Sequence, residues 1–130
     1  PMENSISTEV FGVHQCMEKI QKEVSKHSGV EVPEMLIEPL LRNGIGDRTD
    51  AVAMTTKRIA ENYTAEIMKK LIAHGYREEL VHLYIIGGGG CLLHNFSDLT
   101  AKPEVTVITD ICANAKGYEA LAMMKQRMRG

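Results

Sequence analysis

The residues with the clearest potential for ligand chemistry are four consecutive glycines, Gly87 to Gly90. They lie between a short apolar run, which we predict to be a strand buried on both faces, and the predicted start of a helix. Glycines at such a turn can adopt positive φ and let a ligand approach the backbone, because no Cβ is in the way. The N–H groups at a helix start favour phosphate or ribose oxygens. We therefore predict that Gly87, Gly88, Gly89 and Gly90 contact a nucleotide; a tight turn without a ligand is the alternative.

Two glycine motifs of known mechanism match this run only in part. A phosphate-binding P-loop requires GxxxxGK[ST], and no Lys-Ser or Lys-Thr follows these glycines. The dinucleotide motif GxGxxG could use Gly88 and Gly90 as its first two glycines, but its third position is Leu93. Asp110 follows the next predicted strand, where such motifs place a ribose-binding acid. A non-catalytic, Rossmann-like dinucleotide- or nucleotide-sensing module therefore stays open, as does a helical assembly domain without a ligand.

Other reactive side chains show no spacing typical of a catalytic or metal site. The five histidines form no HExxH or other ligand pattern, and there is no GxSxG nucleophile elbow. We predict no catalytic residue and no metal ligand in this chain. The three cysteines, an odd number without CxxC spacing, predict reduced thiols and a cytoplasmic location.

Hydrophobic periodicity predicts a helix-rich chain with two short strands. A stripe from Val10 to Val24 with a three- and four-residue period predicts a helix over residues 8–27, capped by Ser7 or Thr8. Gly75 is expected to end a long helix. Further elements are predicted as a short helix over 33–42, a loop over 43–47, the long helix over 48–74, strands over 80–86 and 105–109, and helices over 91–96 and 112–128.

The two strands alone make a poor sheet. A strand–helix–strand unit is expected to be parallel, and parallel strands need several neighbours and covered faces. We therefore expect the sheet to be completed by sequence upstream of Pro1, by a second copy of the chain, or by an unrecognised strand near the N-terminus.

Composition is that of a single globular domain. The chain has 130 residues, of which 44% are hydrophobic and 25% charged, with a formal net charge of −2. Such neutrality disfavours a direct nucleic-acid interface, and no apolar run reaches the length of a membrane span. We expect one domain over residues 1–130, with residues 1–7 disordered or derived from a cloning vector.

Three stretches resemble the ParM/StbA plasmid-segregation family of actin-like ATPases. The run from Leu83 to Leu93, LYIIGGGGCLL, is similar to the adenosine motif of that superfamily, in which an apolar strand ends in glycines beside the nucleotide. The run from Asp110 to Leu121, DICANAKGYEAL, resembles the family's last helix near the interdomain hinge. Phe11-Gly12-Val13 and the residues up to Ile20 resemble the helix after the second phosphate loop.

This resemblance implies a fold, a ligand and partners. The fold class would be α/β, a helix-rich, second-lobe C-terminal fragment of an actin/ribonuclease-H-like ATPase domain with short parallel strands and flanking helices. The cofactor would be ATP or GTP with magnesium in a full-length parent, although the fragment would need none to fold. Partners would be further copies in a filament, or a dimer of the fragment, with DNA reached through an adaptor and no membrane. The implied base-side contacts are Gly12, Gln15, Cys16 and Lys19.

The chain departs from the family pattern in one respect. The two Asp- and Gly-containing phosphate loops, which hold the metal–phosphate cluster, do not occur in this sequence. Phosphoryl transfer depends on such positioning and charge neutralisation. We therefore expect the parent protein to be a nucleotide hydrolase and this segment alone to be inactive.

Overall fold

The chain forms an α/β structure in which a four-stranded mixed sheet packs against helices. The computed structural model describes residues 6–86, 90–108 and 119–126. The strands are β1 (Ile6–Gly12), β2 (Val81–Ile86), β3 (Val105–Ile108) and β4 (Glu119–Gln126). The helices are α1 (Val13–Ser28), α2 (Glu38–Asn43), α3 (Ala51–Ala73) and α4 (Gly90–Phe96), with 3₁₀ turns at Glu34–Leu36 and Leu99–Ala101.

The sheet has the order β1-β4-β2-β3. β4 runs antiparallel to both of its neighbours, and β2 and β3 pair in parallel, as the strand–helix–strand pattern predicted. Because β1 and β2 are each antiparallel to β4, the strands β1, β2 and β3 all point the same way. Of the three ways in which the sheet could be completed, the chain uses an N-terminal strand, together with a C-terminal strand that was not anticipated.

Two predicted helical segments are strands in the structure. Residues 8–12, assigned to the first helix, belong to β1, so Ser7 and Thr8 lie within a strand and do not cap a helix. The predicted helix over 112–128 contains β4 instead, while residues 112–118 and 127–128 lie outside the described part of the chain. Pairing with β1 and β2 satisfies the backbone of β4 on both sides, and this tertiary context overrides helix propensity. Of residues 1–7, expected to be disordered, Ile6 and Ser7 also belong to β1.

Two residues in the middle of β2 show which face of the sheet is covered by helices. Leu83 and Ile85, two residues apart and so on one face of β2, are fully buried, whereas Tyr84 between them is only half-buried. The prediction that β2 is buried on both faces is therefore wrong for this strand. Its buried face packs in a core formed with residues of α3, α4, the neighbouring strands and the connections between them, namely Ile67, Leu71, Tyr76, Leu93, Leu99, Val105 and Met124.

A second core joins α1 to the other helices. Cys16, Met17, Ile20 and Val24 form the buried stripe of α1, which confirms the predicted helical period from residue 17 onward. This stripe packs against Ile37, Leu41, Ala60, Leu92 and Phe96. α4 therefore contributes to both cores, with Leu93 in the first and Leu92 in the second.

Helix α3 begins where the sequence supplies a capping acid. The Asp50 side chain accepts a hydrogen bond from the Ala53 backbone N–H at 3.2 Å and is held by two 2.8 Å bonds from Arg48. The Arg48 bonds are the main reason that the pKa of Asp50 falls to about 2. The carboxylate therefore stays ionised and able to accept the capping bond far into the acid range. Gly75, at φ 111°, lies just after the last turn, as predicted.

Two buried threonines on α3 should respond in opposite ways to the same substitution. The Thr64 hydroxyl is shared between two carbonyl acceptors, that of Glu61 at 2.9 Å and that of Phe96 on α4 at 3.0 Å, whereas the buried Thr56 Oγ1 has no partner among the described residues. Thr64→Val should cost about 1–3 kcal/mol because it leaves a buried acceptor without its donor. Thr56→Val should be neutral or stabilise by up to about 1 kcal/mol. Urea unfolding followed by circular dichroism tests both, and equal losses would contradict the assignment.

Candidate functional site

The candidate site lies at one edge of the sheet, where three strands end together. β1 ends at Gly12, which pairs with Glu119, and β2 ends at Ile86, which pairs with both Leu121 and Ile108. The carboxyl ends of β1, β2 and β3 therefore share an edge with the start of β4. Ligands of open α/β sheets bind at the carboxyl ends of parallel strands.

Two helices begin at this edge. α1 starts at Val13, directly after Gly12, and α4 starts at Gly90, four residues after the end of β2. Since β4 separates β1 from β2 and neighbouring strands lie about 4.8 Å apart, the ends of β1 and β2 are roughly 10 Å apart across the sheet. A nucleoside spans a distance of this order.

The predicted glycine contacts fall partly outside the described residues. Gly87, Gly88 and Gly89 are in the undescribed segment between β2 and α4, and Gly90 is the buried first residue of α4. In α4, Leu92 and Leu93 are almost fully buried, while His94 is exposed. The core thus fixes both ends of the glycine run, through β2 on one side and α4 on the other.

The predicted base-side residues differ in their environment. Gln15 and Lys19 are exposed on α1, and the Lys19 Nζ lies 5.9 Å from the centre of the Tyr63 ring on α3, within the range of a cation–π contact. Side chains at these two positions are four residues apart and so share a helix face.

Cys16 is a core residue and not a surface contact. Its side chain is 0% exposed and packs among the apolar residues of α1, α2 and α4. Burial raises the pKa of its thiol to about 12, an effect that the charge of Lys19 only partly offsets. A buried, protonated thiol is a poor nucleophile. Cys16 is therefore removed from the set of residues that could contact a nucleotide directly.

Cys91 differs from the sequence-based expectation. Cys91, the second residue of α4, is disulfide-bonded, whereas three reduced thiols were predicted. Cysteine number and spacing alone do not reveal which thiols folding brings together. Cys112 lies outside the described residues, as does Asp110, the acid on which the dinucleotide alternative depends.

The described part of the chain shows neither a metal-binding cluster nor a membrane-spanning helix. Within residues 6–86, 90–108 and 119–126, no three His, Cys, Asp or Glu side chains are grouped in a way that could hold a metal ion. None of the helices described there combines the length and apolar character needed to cross a bilayer.

One hydrogen-bonded residue on α4 was not recognised from the sequence. Asn95 donates from Nδ2 to the carbonyl oxygens of Leu41 at 3.0 Å and Arg42 at 2.8 Å, both in the last turn of α2. Terminal helix carbonyls lack intrahelical partners, and Asn95 satisfies two of them. This contact fixes α4, and with it one end of the glycine run, against α2. A lone asparagine carries no such signal in sequence.

Comparisons of the chain with family models, with curated proteins and with solved structures found no match.

Proposed function

We propose that this chain is the nucleotide-binding part of an actin-like, filament-forming ATPase that acts in plasmid or DNA segregation. The observation that supports the proposal is the common sheet edge, where β1 and β2 both end and α1 and α4 both begin. The two segments whose sequences resemble nucleotide-contacting parts of the family are the ones that meet there.

In this proposal the glycine run contacts the nucleoside and α-phosphate. Gly87, Gly88 and Gly89 offer backbone N–H groups without a Cβ to obstruct the ligand. Gln15 and Lys19 approach the base from the α1 side of the same edge. Magnesium and the attacking water would be held by phosphate loops that this sequence does not contain, so the chain supplies binding and orientation and not the hydrolytic step.

A second candidate is a Rossmann-like module that binds a dinucleotide. The parallel β2–α4–β3 unit favours it, because such units carry dinucleotide sites at the first strand-to-helix turn. The broken third glycine position at Leu93, a fully buried core residue, disfavours it. The antiparallel β4 beside β2 also departs from the mostly parallel sheet of that fold.

The decisive substitution is Gly88→Val, made in a protein that carries this segment together with the two phosphate loops. The added side chain should obstruct the ligand and weaken ATP binding by at least about a hundredfold, a loss of roughly 3 kcal/mol. Isothermal titration with ATP, GTP and NAD measures this, and circular dichroism checks that the protein remains folded.

Two control variants separate ligand contact from fold damage. Lys19→Ala should weaken nucleotide binding several-fold, and Lys57→Ala, at another exposed lysine that belongs to α3, should not. If Gly88→Val binds ATP as tightly as the wild type, the ligand site is wrong. If NAD binds tightly and ATP does not, the dinucleotide module is the better description.

A further inference from the structure

An open groove between α1 and α3 carries excess positive charge. It has a volume of about 470 Å³ and contains four cations, Lys19, Lys22, Lys26 and Arg58, against the two carboxylates Glu23 and Glu66. Four positive minus two negative groups leave a net charge of +2. The half-buried Ile59 and Tyr63 add apolar surface, and Asn62 completes the lining. We refer to these residues as the α1–α3 groove.

The carboxylates of the groove already have cationic partners. Glu23 lies 3.8 Å from Arg58, and Glu66 lies 3.2 Å from Lys69. Lys22 and Lys26, by contrast, form no ion pair with any residue that the structure describes. The groove is therefore electrostatically suited to a negatively charged occupant.

A second surface has the complementary character. Residues 29–36, which we call the acidic segment, lie between α1 and α2 and include the 3₁₀ turn Glu34–Leu36. They contain Glu31 and Glu34 but no cationic residue. Their net charge is thus −2. Both glutamates are exposed, and neither pairs with a cation in the described residues. Three apolar side chains beside them are also exposed: Val30 at 66%, Met35 at 74% and Leu36 at 53%.

The acidic segment is held firmly against α1. The Val32 backbone N–H donates to Ser25 Oγ at 2.9 Å, and Gln21 Nε2 donates to the Val32 carbonyl at 2.9 Å, while the Val32 side chain is buried. A segment fixed in this way loses little conformational freedom on binding. Exposed apolar side chains on an ordered segment are typical of an interaction site.

The acidic segment and the α1–α3 groove use different residues of α1. Lys19, Lys22 and Lys26 line the groove, whereas Gln21 and Ser25, which hold the acidic segment, do not. One molecule therefore presents both a basic groove and an acidic, apolar segment, and does so on separate patches.

We propose that the acidic segment of one copy of this chain binds in the α1–α3 groove of the next copy. Glu31 and Glu34 meet Lys22 and Lys26, and the exposed apolar side chains cover Ile59 and Tyr63. Because the two surfaces are different patches, the contact is head to tail, and each addition leaves one free groove and one free segment. This inference rests on the self-association contained in the proposed function and locates the contact, and it does not require nucleotide.

Charge exchange tests this contact in the intact chain. Lys22→Glu/Lys26→Glu places acidic groups on both surfaces, and Glu31→Lys/Glu34→Lys places basic groups on both, so each variant alone should associate at least about tenfold more weakly than the wild type. A mixture of the two variants restores opposite charges at every contact and should associate like the wild type. Analytical ultracentrifugation over a broad concentration range measures all three.

Matched controls separate this contact from net-charge effects and from loss of fold. Lys57→Glu/Lys70→Glu makes the same charge change on exposed positions of α3 outside the groove, and it should associate as the wild type does. Association should also weaken above about 0.1 M salt, where the Debye length falls below about 10 Å. Circular dichroism verifies that each variant is folded.

Three results would overturn the contact: a wild-type chain that stays monomeric, a mixture that fails to associate, or reversals at Lys22 and Lys26 that change nothing. Tight binding of pyrophosphate in the groove by a monomeric chain would assign it to a small anion instead. The Gly88→Val experiment tests nucleotide binding at a residue outside both the groove and the acidic segment. Failure of the proposed function can therefore be distinguished from failure of this contact.

Discussion

Replacing Ile85 by alanine is expected to lower the free energy of unfolding by about 2–5 kcal/mol, the range found when a fully buried aliphatic side chain is truncated. Ile85 is 0% exposed and lies in β2, which is paired on both sides, with β4 and with β3. Its side chain belongs to the core that also contains Leu71 and Leu93. Truncation leaves a cavity between the sheet and the helices that little local movement can fill.

An exposed isoleucine provides the matched control for this substitution. Ile72 on α3 is 47% exposed, so Ile72→Ala removes the same atoms without opening a cavity and should change stability by less than about 0.5 kcal/mol. Urea unfolding followed by circular dichroism compares the two. Similar losses at both positions would show that Ile85 is not in the centre of the core.

The Ile85 substitution also bears on the proposed site. Ile85 is one residue from the end of β2 and two from the start of the glycine run, so the core holds one end of that run through this side chain. Under conditions in which the variant is still mostly folded, nucleotide affinity should fall by less than in Gly88→Val. The reason is that Ile85 positions the turn, whereas Gly88 is proposed to touch the ligand.

The predicted elements agree best with the structure where one hydrophobic period continues over a whole segment. α3 has a buried stripe that includes Ala60, Ile67 and Leu71, and its predicted bounds of 48–74 differ from Ala51–Ala73 by three residues at the start and one at the end. The run ending in Ile86 and the β-branched run around Val105 were short, apolar and bounded by turn residues, and both are strands.

The first helix was predicted to begin too early because a helical and a strand-like hydrophobic period overlap there. Val10 continues the three- and four-residue spacing of α1, but Ile6, Thr8 and Val10 also alternate as in a β-strand and precede Gly12. That alternation, ending in a glycine, was the available signal for β1. For β4 no comparable signal exists, because Ala120, Leu121 and their neighbours favour helix, and only pairing with β1 and β2 selects the extended form.

The candidate site was predictable in its parts but not in its geometry. The glycine run stands out in the sequence because four consecutive residues lack a side chain. The strands β1 and β2 end at the same edge of the sheet, at Gly12 and Ile86. This arrangement depends on the register of β4 with both strands, and no local sequence pattern specifies that register. The burial of Cys16 likewise depends on contacts with α2 and α4, which lie far along the chain.

The second large effect is expected at a buried hydrogen bond between two connections. The Tyr76 hydroxyl, in the segment between α3 and β2, donates to Glu104 Oε2, which precedes β3. Both residues are about 5% exposed. Tyr76→Phe keeps the ring and removes the donor from a buried carboxyl group, so it should cost about 1–3 kcal/mol. Urea unfolding near neutral pH measures the loss.

Tyr84→Phe is the control for the loss of a tyrosine hydroxyl. The Tyr84 ring is half-buried on β2, and its centre lies 4.6 Å from that of the His82 ring at an interplanar angle of 40°. Its hydroxyl forms no hydrogen bond with the residues that the structure describes. Removing this hydroxyl should change stability by less than about 0.5 kcal/mol. A loss at Tyr84 equal to that at Tyr76 would contradict the importance of the Glu104 contact.

The stability difference at Tyr76 should also depend on pH in the alkaline range. Burial, followed by the hydrogen bond and charge of Glu104, raises the pKa of Tyr76 above its ordinary value. The folded state therefore keeps the proton that the unfolded chain releases above about pH 10. The contribution of Tyr76 is fully present below that pH and is lost as the pH rises through its pKa in the folded state. The difference in unfolding free energy between the wild type and Tyr76→Phe should therefore decrease when unfolding is measured above about pH 10. If the difference in unfolding free energy between the wild type and Tyr76→Phe stays constant from neutral to alkaline pH, folding does not raise the pKa of Tyr76.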